Sequence, residues 1–434
     1  MLPLQCHITI ILENIQYSVH KFWQSPNLQI YSGFLPKYSR YRFDFFMNNP
    51  ETIPEIFTPE ERDENEERKR ELIDLVASGE AILIVGAGSS ARVGYVTWDG
   101  LLKALEDLAN RCGTGLDQTQ KGDELAYAEA IKSHIEKTDD IGKYYDLLDQ
   151  LFKPKSPTYD EFHRLLIDLP FRGILTTNYD SVLEAALFDK KIEAEREGKQ
   201  IRPIDVMPLV IGPDTPRLIH EFLLARNNDP HIPQRIAHLH GLYRYRESII
   251  LSSEDYVKNY SLSVKKNGED QGNEDRWTFH RKLLWAVLAT RRVVFVGFSM
   301  EDPYFEKMLE IVSTDLWGWN KSIHFAIMGI SAEDKEDIQD SKDKADRLKS
   351  KYGIDTVFYE VLEKSHKRLE DIFADIKKQC ENRRQSDEET RDLSSDSDSS
   401  ENQELKPVSS GTRDILNWLK REGQRMIRRI SDED

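Results

Sequence analysis

The chain has 434 residues, 39% hydrophobic and 32% charged, with a formal net charge of −17; that length suits two or three domains, or one large α/β domain with appendages. The acidic balance disfavours the surface as a nucleic-acid binder, so direct nucleic-acid binding is not indicated and a small molecule or a protein is the default partner. Three scattered cysteines, Cys6, Cys112 and Cys380, form no Cys-x-x-Cys pair, which excludes a disulfide framework and a four-thiolate zinc site; with no signal peptide and no apolar run near the roughly 20 residues that span a bilayer, a cytoplasmic, membrane-free setting is expected.

Residues 1–57 form an aromatic-rich N-terminal extension without a period of 2 or 3.6, and Met47 offers an alternative start. This extension reads either as ordered or as a poorly ordered or mis-started leader. Thr58 and Pro59 then suit the N-cap and first position of a charged helix that ends in Leu72, Ile73, Leu75 and Val76. The run Ala81-Ile82-Leu83-Ile84-Val85 is too short for a typical helix and fits a strand buried on both faces. It stops at Gly86-Ala87-Gly88-Ser89-Ser90, where glycines permit close approach to an anion and the amides of the loop and of a following helix offer partial positive charge. The same five residues also read as a plain strand-to-helix turn. Ala91 stands where a dinucleotide fingerprint has its third glycine. No second strand with an acidic end follows some 20 residues on, which argues against an ordinary hydride-transfer enzyme.

A helical insert over about residues 98–170 comes next, from Leu101, Leu102, Leu105 and Leu108 at helical spacing and from patterns at 123–135, 142–152 and 159–169. The second buried strand starts at Gly173 and delivers Thr177, Asn178 and Asp180 to its carboxyl end, where open α/β sheets place ligands. Asn178 and Asp180 also read as caps of the helix that begins near Ser181. A charged linker, 190–199, and a Pro-punctuated stretch lead to the strand at 235–241, which carries His238, His240 and Gly241. A period of 2 puts both histidines on one face, with His238 a structural or supporting residue. An exposed loop at 265–275, a helix at 279–289 and a strand at 292–296 precede Gly297-Phe298-Ser299, with Asp302-Pro303 as a turn or helix start. Strands at 324–328 and 356–360 and a helix at 366–376, where His366 reads as core or as reaching a ligand, close the pattern. The fold class is α/β, a Rossmann-like, mostly parallel sheet with helices on both faces. It occupies 58–384; an acidic disordered linker, 385–410, and a basic amphipathic helix, 411–434, follow. That last helix reads as docked on its own domain or as awaiting a partner protein or an acidic surface.

Four strand ends thus carry, in order, Gly-Ala-Gly-Ser-Ser, Thr-Asn-Tyr-Asp, His-Gly and Gly-Phe-Ser. This ordered set resembles the sirtuin family, and more closely the sirtuin-like, NAD-destroying domains of bacterial anti-phage defence proteins, over roughly residues 73–376. The resemblance implies that Gly86, Ala87, Gly88, Ser89, Ser90, Thr177, Gly297, Phe298 and Ser299 hold the dinucleotide. It further implies that Asn178 contacts ribose and positions water, that Asp180 lies near the nicotinamide amide and that His240 is the general base. Cleaving the nicotinamide–ribose bond passes through an oxocarbenium-like sugar and needs anchored phosphates, held hydroxyls and one base, since the leaving ring nitrogen is already cationic.

Two departures bear on the acceptor. Protein-deacylating sirtuins carry four zinc-binding cysteines after the His-Gly pair, whereas this chain has none between Cys112 and Cys380, and Val96-Thr97-Trp98-Asp99 stands in place of their Pro-Asp-Phe-Arg. Water is therefore the expected acceptor, without zinc or a cofactor beyond NAD as substrate. The chain is read as an NAD glycohydrolase acting as an abortive-infection effector. Its competitors are a zinc-free deacylase or ADP-ribosyltransferase, and a non-catalytic NAD or ADP-ribose sensor. Activity is expected to stay low until assembly or infection turns it on, with a homo-oligomer or a partner such as a DNA-translocating ATPase or another defence component as the candidate regulator.

Overall fold

Thr58 starts the first helix, α1 (Pro59–Ala77), by a reciprocal cap: its hydroxyl accepts from the Glu61 amide at 3.2 Å, and the Glu61 carboxylate accepts from the Thr58 amide at 2.9 Å. The computed structural model describes residues 56–226, 229–262, 277–300, 302–316, 318, 323–331, 335–362 and 365–395. Strand β1 (Ile82–Val85) is followed by α2 (Ala87–Ala91), α3 (Trp98–Cys112), α4 (Glu124–Lys137), α5 (Ile141–Phe152) and α6 (Glu161–Asp168) before β2 (Gly173–Thr176). Then come α7 (Val182–Glu197), β3 (Leu209–Val210), α8 (Pro216–Leu224), β4 (Ile236–His238), α9 (Ser253–Tyr260) and α10 (Phe279–Thr290). The remainder is β5 (Val293–Val296), α11 (Pro303–Asp315), β6 (His324–Ser331), α12 (Lys335–Tyr352), β7 (Ile354–Val361) and α13 (Lys367–Ser395).

The strands form one seven-stranded sheet in the order β3-β4-β2-β1-β5-β6-β7, parallel throughout. β1 lies between β2 and β5, with Val85 level with both Thr176 and Val296. From β1 the chain builds one side of the sheet and then crosses to the other, so the carboxyl end of β1 is the switch point where such sheets open a crevice. Side chains alternate across β1. Ile82 and Ile84 enter a core with Leu175, Phe295 and residues of α10 and α11. Leu83 and Val85 enter the opposite core, with residues of α1, α6, α7 and α13. The insert helices build a third core with Tyr179, Leu242 and Leu251. Asn65 of α1 closes the outer edge of β7, donating to the Phe358 carbonyl at 3.0 Å and accepting from its amide at 2.8 Å.

The fold class is as expected, and several boundaries differ. Residues 190–197 are the polar second half of α7, which ends at Gly198 with φ +64°, so their charge marks a solvated helix rather than a linker. Helix α13 runs through Ser395, so 385–395 is helical where a disordered linker was expected. Its docked residues Leu369, Ile372, Phe373 and Ile376 start the helix, and a strongly polar run continues it. Ile56 and Phe57, assigned to the N-terminal extension, pack against Ile330 and Phe358. Residues 1–55, the loop at 265–275, the rest of the linker and the basic 411–434 segment lie outside the described residues. No described helix is long and apolar enough to cross a membrane.

Candidate active site

At the end of β1 the chain turns at once into α2, so Gly-Ala-Gly-Ser-Ser is a single helical turn and not an open loop. The Gly86 amide donates to the Val296 carbonyl at 3.0 Å, the Gly88 amide to the Gly297 carbonyl at 2.9 Å and the Ser89 amide to the Gly86 carbonyl at 3.1 Å. The amides of Gly88 and Ser89 are thus occupied within the protein, contrary to the expectation that this turn offers them to an anion. Its glycines answer a different demand, the crossing of two backbones. A Cβ on Gly86 would stand 2.4 Å from the Gly297 oxygen, and one on Gly297, whose φ is +62°, 2.6 Å from the Ser89 nitrogen.

β2 places Asn178 across this turn. Its Nδ2 donates to the Gly86 carbonyl at 3.1 Å and the Ser90 hydroxyl at 2.9 Å, while the buried Oδ1 has no partner among the described residues. Asp180 accepts from the Val182 amide at 3.1 Å and so opens α7, as its capping reading expected. Burial raises the Asp180 pKa against the opposing pull of that amide and of Ser90.

The two histidines near β4 occupy different surroundings. His238, the last residue of β4, donates from Nδ1 to the Asn178 carbonyl at 3.0 Å and has Nε2 2.6 Å from Glu184. Burial opposes its charge, but Glu184 and these hydrogen bonds outweigh it and the pKa is raised. His240 lies beyond the strand, so the period-2 argument for a shared face lapses. Its Nδ1 is 3.3 Å from the Tyr256 hydroxyl and its Nε2 3.1 Å from that of Tyr260, and burial lowers its pKa to about 3. The next residue must be glycine: Gly241 has φ +88°, and a Cβ there would stand 2.2 Å from the Ser248 oxygen.

Sequence reasoning missed Tyr256 and recognised Asp302 only as a helix start. Asp302 does cap α11, accepting from the amides of Tyr304 and Phe305 at 2.9 and 3.0 Å. Its other oxygen accepts from the Tyr256 hydroxyl at 2.7 Å. The available signal was the capping box Ser252–Asp255, which starts α9 and makes Tyr256 and Tyr260 neighbours four residues apart.

One cavity of about 840 Å³ joins these parts, within the usual size of ligand sites. Every expected site residue lines it except Gly86, whose carbonyl accepts from Asn178: Ala87, Gly88, Ser89, Ser90, Thr177, Asn178, Asp180, His240, Gly297, Phe298 and Ser299. Tyr256 and Asp302 line it too, the insert adds Trp98, Leu125 and Phe152, and the far end is walled by Met328, Tyr359 and His366. Arg92, also unanticipated, reaches the wall anchored by Asp160 at 2.9 Å and by Glu370. Among the described residues, no group of three or more His, Cys, Asp or Glu is placed to hold a metal ion.

The SIR2-like domain model matches residues 172–357 of this chain. An NAD(+) hydrolase ThsA from Enterococcus faecium is 24% identical over 284 residues, 65% of this chain and 49% of that protein. Another, from Bacillus cereus (strain MSX-D12), is 27% identical over 232 residues, 54% of this chain and 40% of the relative. A third, from Cytobacillus dafuensis, is 24% identical over 244 residues, 55% and 39% of the two chains. The chain spans half or less of the length of these curated relatives.

Proposed function

We propose that this chain, built around a SIR2-like domain, is an NAD glycohydrolase that releases nicotinamide and ADP-ribose. The reading rests on one observation: the glycine–serine turn, Asn178, His240 and the 297–299 loop wall a single cavity. A reaction through a cationic sugar needs one dinucleotide held along its length with a base beside the glycosidic carbon, and separate cavities would deny it. The activity in the relatives' name supports the same reading.

In this mechanism the residues 87–90, Thr177 and 297–299 hold the diphosphate and adenosine side, and Asp180 lies toward the nicotinamide amide. The Asn178 Oδ1, without a partner among the described residues, accepts from a ribose hydroxyl or the attacking water. Water oxygen bonds to the anomeric carbon as the carbon–nitrogen bond breaks; the electron pair passes to the ring nitrogen, and the water proton passes to His240. Burial keeps His240 neutral and ready to accept at neutral pH. The cationic carbon acidifies the incoming water, so even a weak base suffices.

In the cell, this activity serves as an abortive-infection effector against phage in the cytoplasm. The enzyme is inactive or weakly active until infection, or assembly into a homo-oligomer or with a partner such as a DNA-translocating ATPase or another defence component, turns it on. The test is incubation of the purified chain with NAD and chromatography of the products, with and without such a partner. Nicotinamide and ADP-ribose are expected in equal amounts, and Asn178→Ala and His240→Ala should each lower turnover by on the order of 10² to 10⁴. Absence of both products even with the partner would reject the reading. Loss of NAD that requires an acyl peptide, or that leaves ADP-ribose on protein, would replace it by the deacylase or the transferase.

A further inference from the structure

Each ring nitrogen of His240 has a hydroxyl beside it, and which nitrogen carries the proton is decided outside the ring. The order of protons is set from Asp302, whose Oδ2 accepts from the Tyr256 hydroxyl at 2.7 Å. A hydroxyl has a single proton. With that proton directed at the carboxylate, the Tyr256 oxygen meets the His240 Nδ1, 3.3 Å away, as an acceptor. Nδ1 must therefore donate. A neutral imidazole carries one N–H, so Nε2 keeps the lone pair and accepts from the Tyr260 hydroxyl at 3.1 Å. Tyr256 is not free to turn away, because its ring stacks on Tyr304 at 4.6 Å and 28° and on Tyr260 at 5.7 Å and 20°.

We propose that Asp302 and Tyr256 are positioning residues: the Asp302 carboxylate, acting through the Tyr256 hydroxyl, fixes His240 with its proton on Nδ1 and so makes Nε2 the nitrogen that takes the proton from the attacking water once that water replaces the Tyr260 hydroxyl at its lone pair. This inference rests on the reading of His240 as the base. It also ties the base to the nucleotide-facing loop, since Asp302 stands three residues beyond Ser299 and both line the cavity. Asp302 already caps α11, so a purely structural role is the alternative, and two conservative variants separate the two roles. Asp302→Asn retains an oxygen for the α11 amides but presents an N–H to Tyr256. The hydroxyl must then donate to Nδ1, and the imidazole proton moves to Nε2. Tyr256→Phe removes the link and leaves the α11 cap in place.

The experiment is a long-range proton–nitrogen correlation spectrum of the full chain with ¹⁵N-labelled histidine, which reports the protonated nitrogen of each ring; His240 is identified by its disappearance in His240→Gln. Nδ1–H is expected in the unmodified chain, Nε2–H in Asp302→Asn, and a mixture in Tyr256→Phe. Turnover of NAD should fall in Asp302→Asn by on the order of 10² to 10⁴ through kcat, with little change in KM, as for other bases held in the wrong tautomer. An Nε2–H ring in the unmodified chain, or an unchanged tautomer in both variants, would overturn the proposal. Should Asp302→Asn not fold, the Tyr256→Phe spectrum decides alone, and retention of pure Nδ1–H there overturns the proposal as well. A tautomer that switches in a chain that never consumes NAD would keep the relay and reject the glycohydrolase; consumption of NAD without any switch would do the reverse.

Discussion

His238 and His240 are separated by one residue and live in opposite electrostatic worlds. His238 is fully buried beside the Glu184 carboxylate, 2.6 Å away, and its pKa is raised. His240 is nearly as buried, but both ring nitrogens meet tyrosine hydroxyls, and its pKa is lowered to about 3. Burial acts on both in the same direction, so the adjacent carboxylate makes the difference. Nearness in sequence therefore says little about role: one ring is a strut between the Asn178 carbonyl and the Glu184 carboxylate, the other a group on the cavity wall that burial keeps neutral.

The strongest way to break this comparison is to remove the strut. His238→Ala leaves the Glu184 carboxylate buried without its partner, and the loss of one member of such a pair costs about 3–5 kcal/mol. Chemical denaturation should report a loss of that order, whereas His240→Ala, which strands no charge, should cost much less stability while suppressing turnover. Equal stability losses in the two variants would mean that the Glu184–His238 contact carries no charge.

The pH dependence of stability sharpens it next, because the two rings contribute with opposite sign. His240, His280 and His324 all have pKa values lowered to about 3 by burial. Below the unfolded value of about 6.5 the unfolded chain binds protons that these folded rings refuse, so each weakens the fold by up to about 1.4 kcal/mol per pH unit as pH falls toward 3. His238 acts in reverse. Its raised pKa gives stability that is fully present below the unfolded value and is lost as pH rises through the folded one. Urea unfolding of the intact chain and of His240→Gln between pH 4 and 6 should differ in slope by about one proton. Coincident slopes would show that His240 is protonated in the fold.

The same contrast governs what was legible in the sequence. β1, β2 and β5 are buried along their whole length, and burial on both faces writes itself as an unbroken apolar run. Asn178, Asp180 and the 297–299 loop were legible because each follows such a run, and His240 because it follows a short strand of its own just before Gly241. β3, with two residues, is too short to carry a pattern. The polar half of α7 looked like a linker because a solvated helix face and a loop share a composition. The link from Asp302 to Tyr256 spans 46 residues and exists only once α9 and α11 meet, so no local spacing announces it. At Gly86 and Gly88 the glycines also answer a demand that no local spacing announces, the close approach of the Gly297 backbone.

The smallest expected effect tests the His240 surroundings alone. Tyr260→Phe keeps the ring that stacks on Tyr256 and removes the hydroxyl at Nε2. Stability should fall by about 0.5–1.5 kcal/mol, the net worth of a typical hydrogen bond, and the His240 pKa should stay depressed because burial alone is what lowers it. Turnover should persist, since Nε2 retains its lone pair and the Tyr256 hydroxyl still holds Nδ1–H. A loss of turnover as deep as that of His240→Ala would assign the proton's first stop to the Tyr260 hydroxyl, and His240 would then differ from His238 in what stands between it and the cavity as well as in charge.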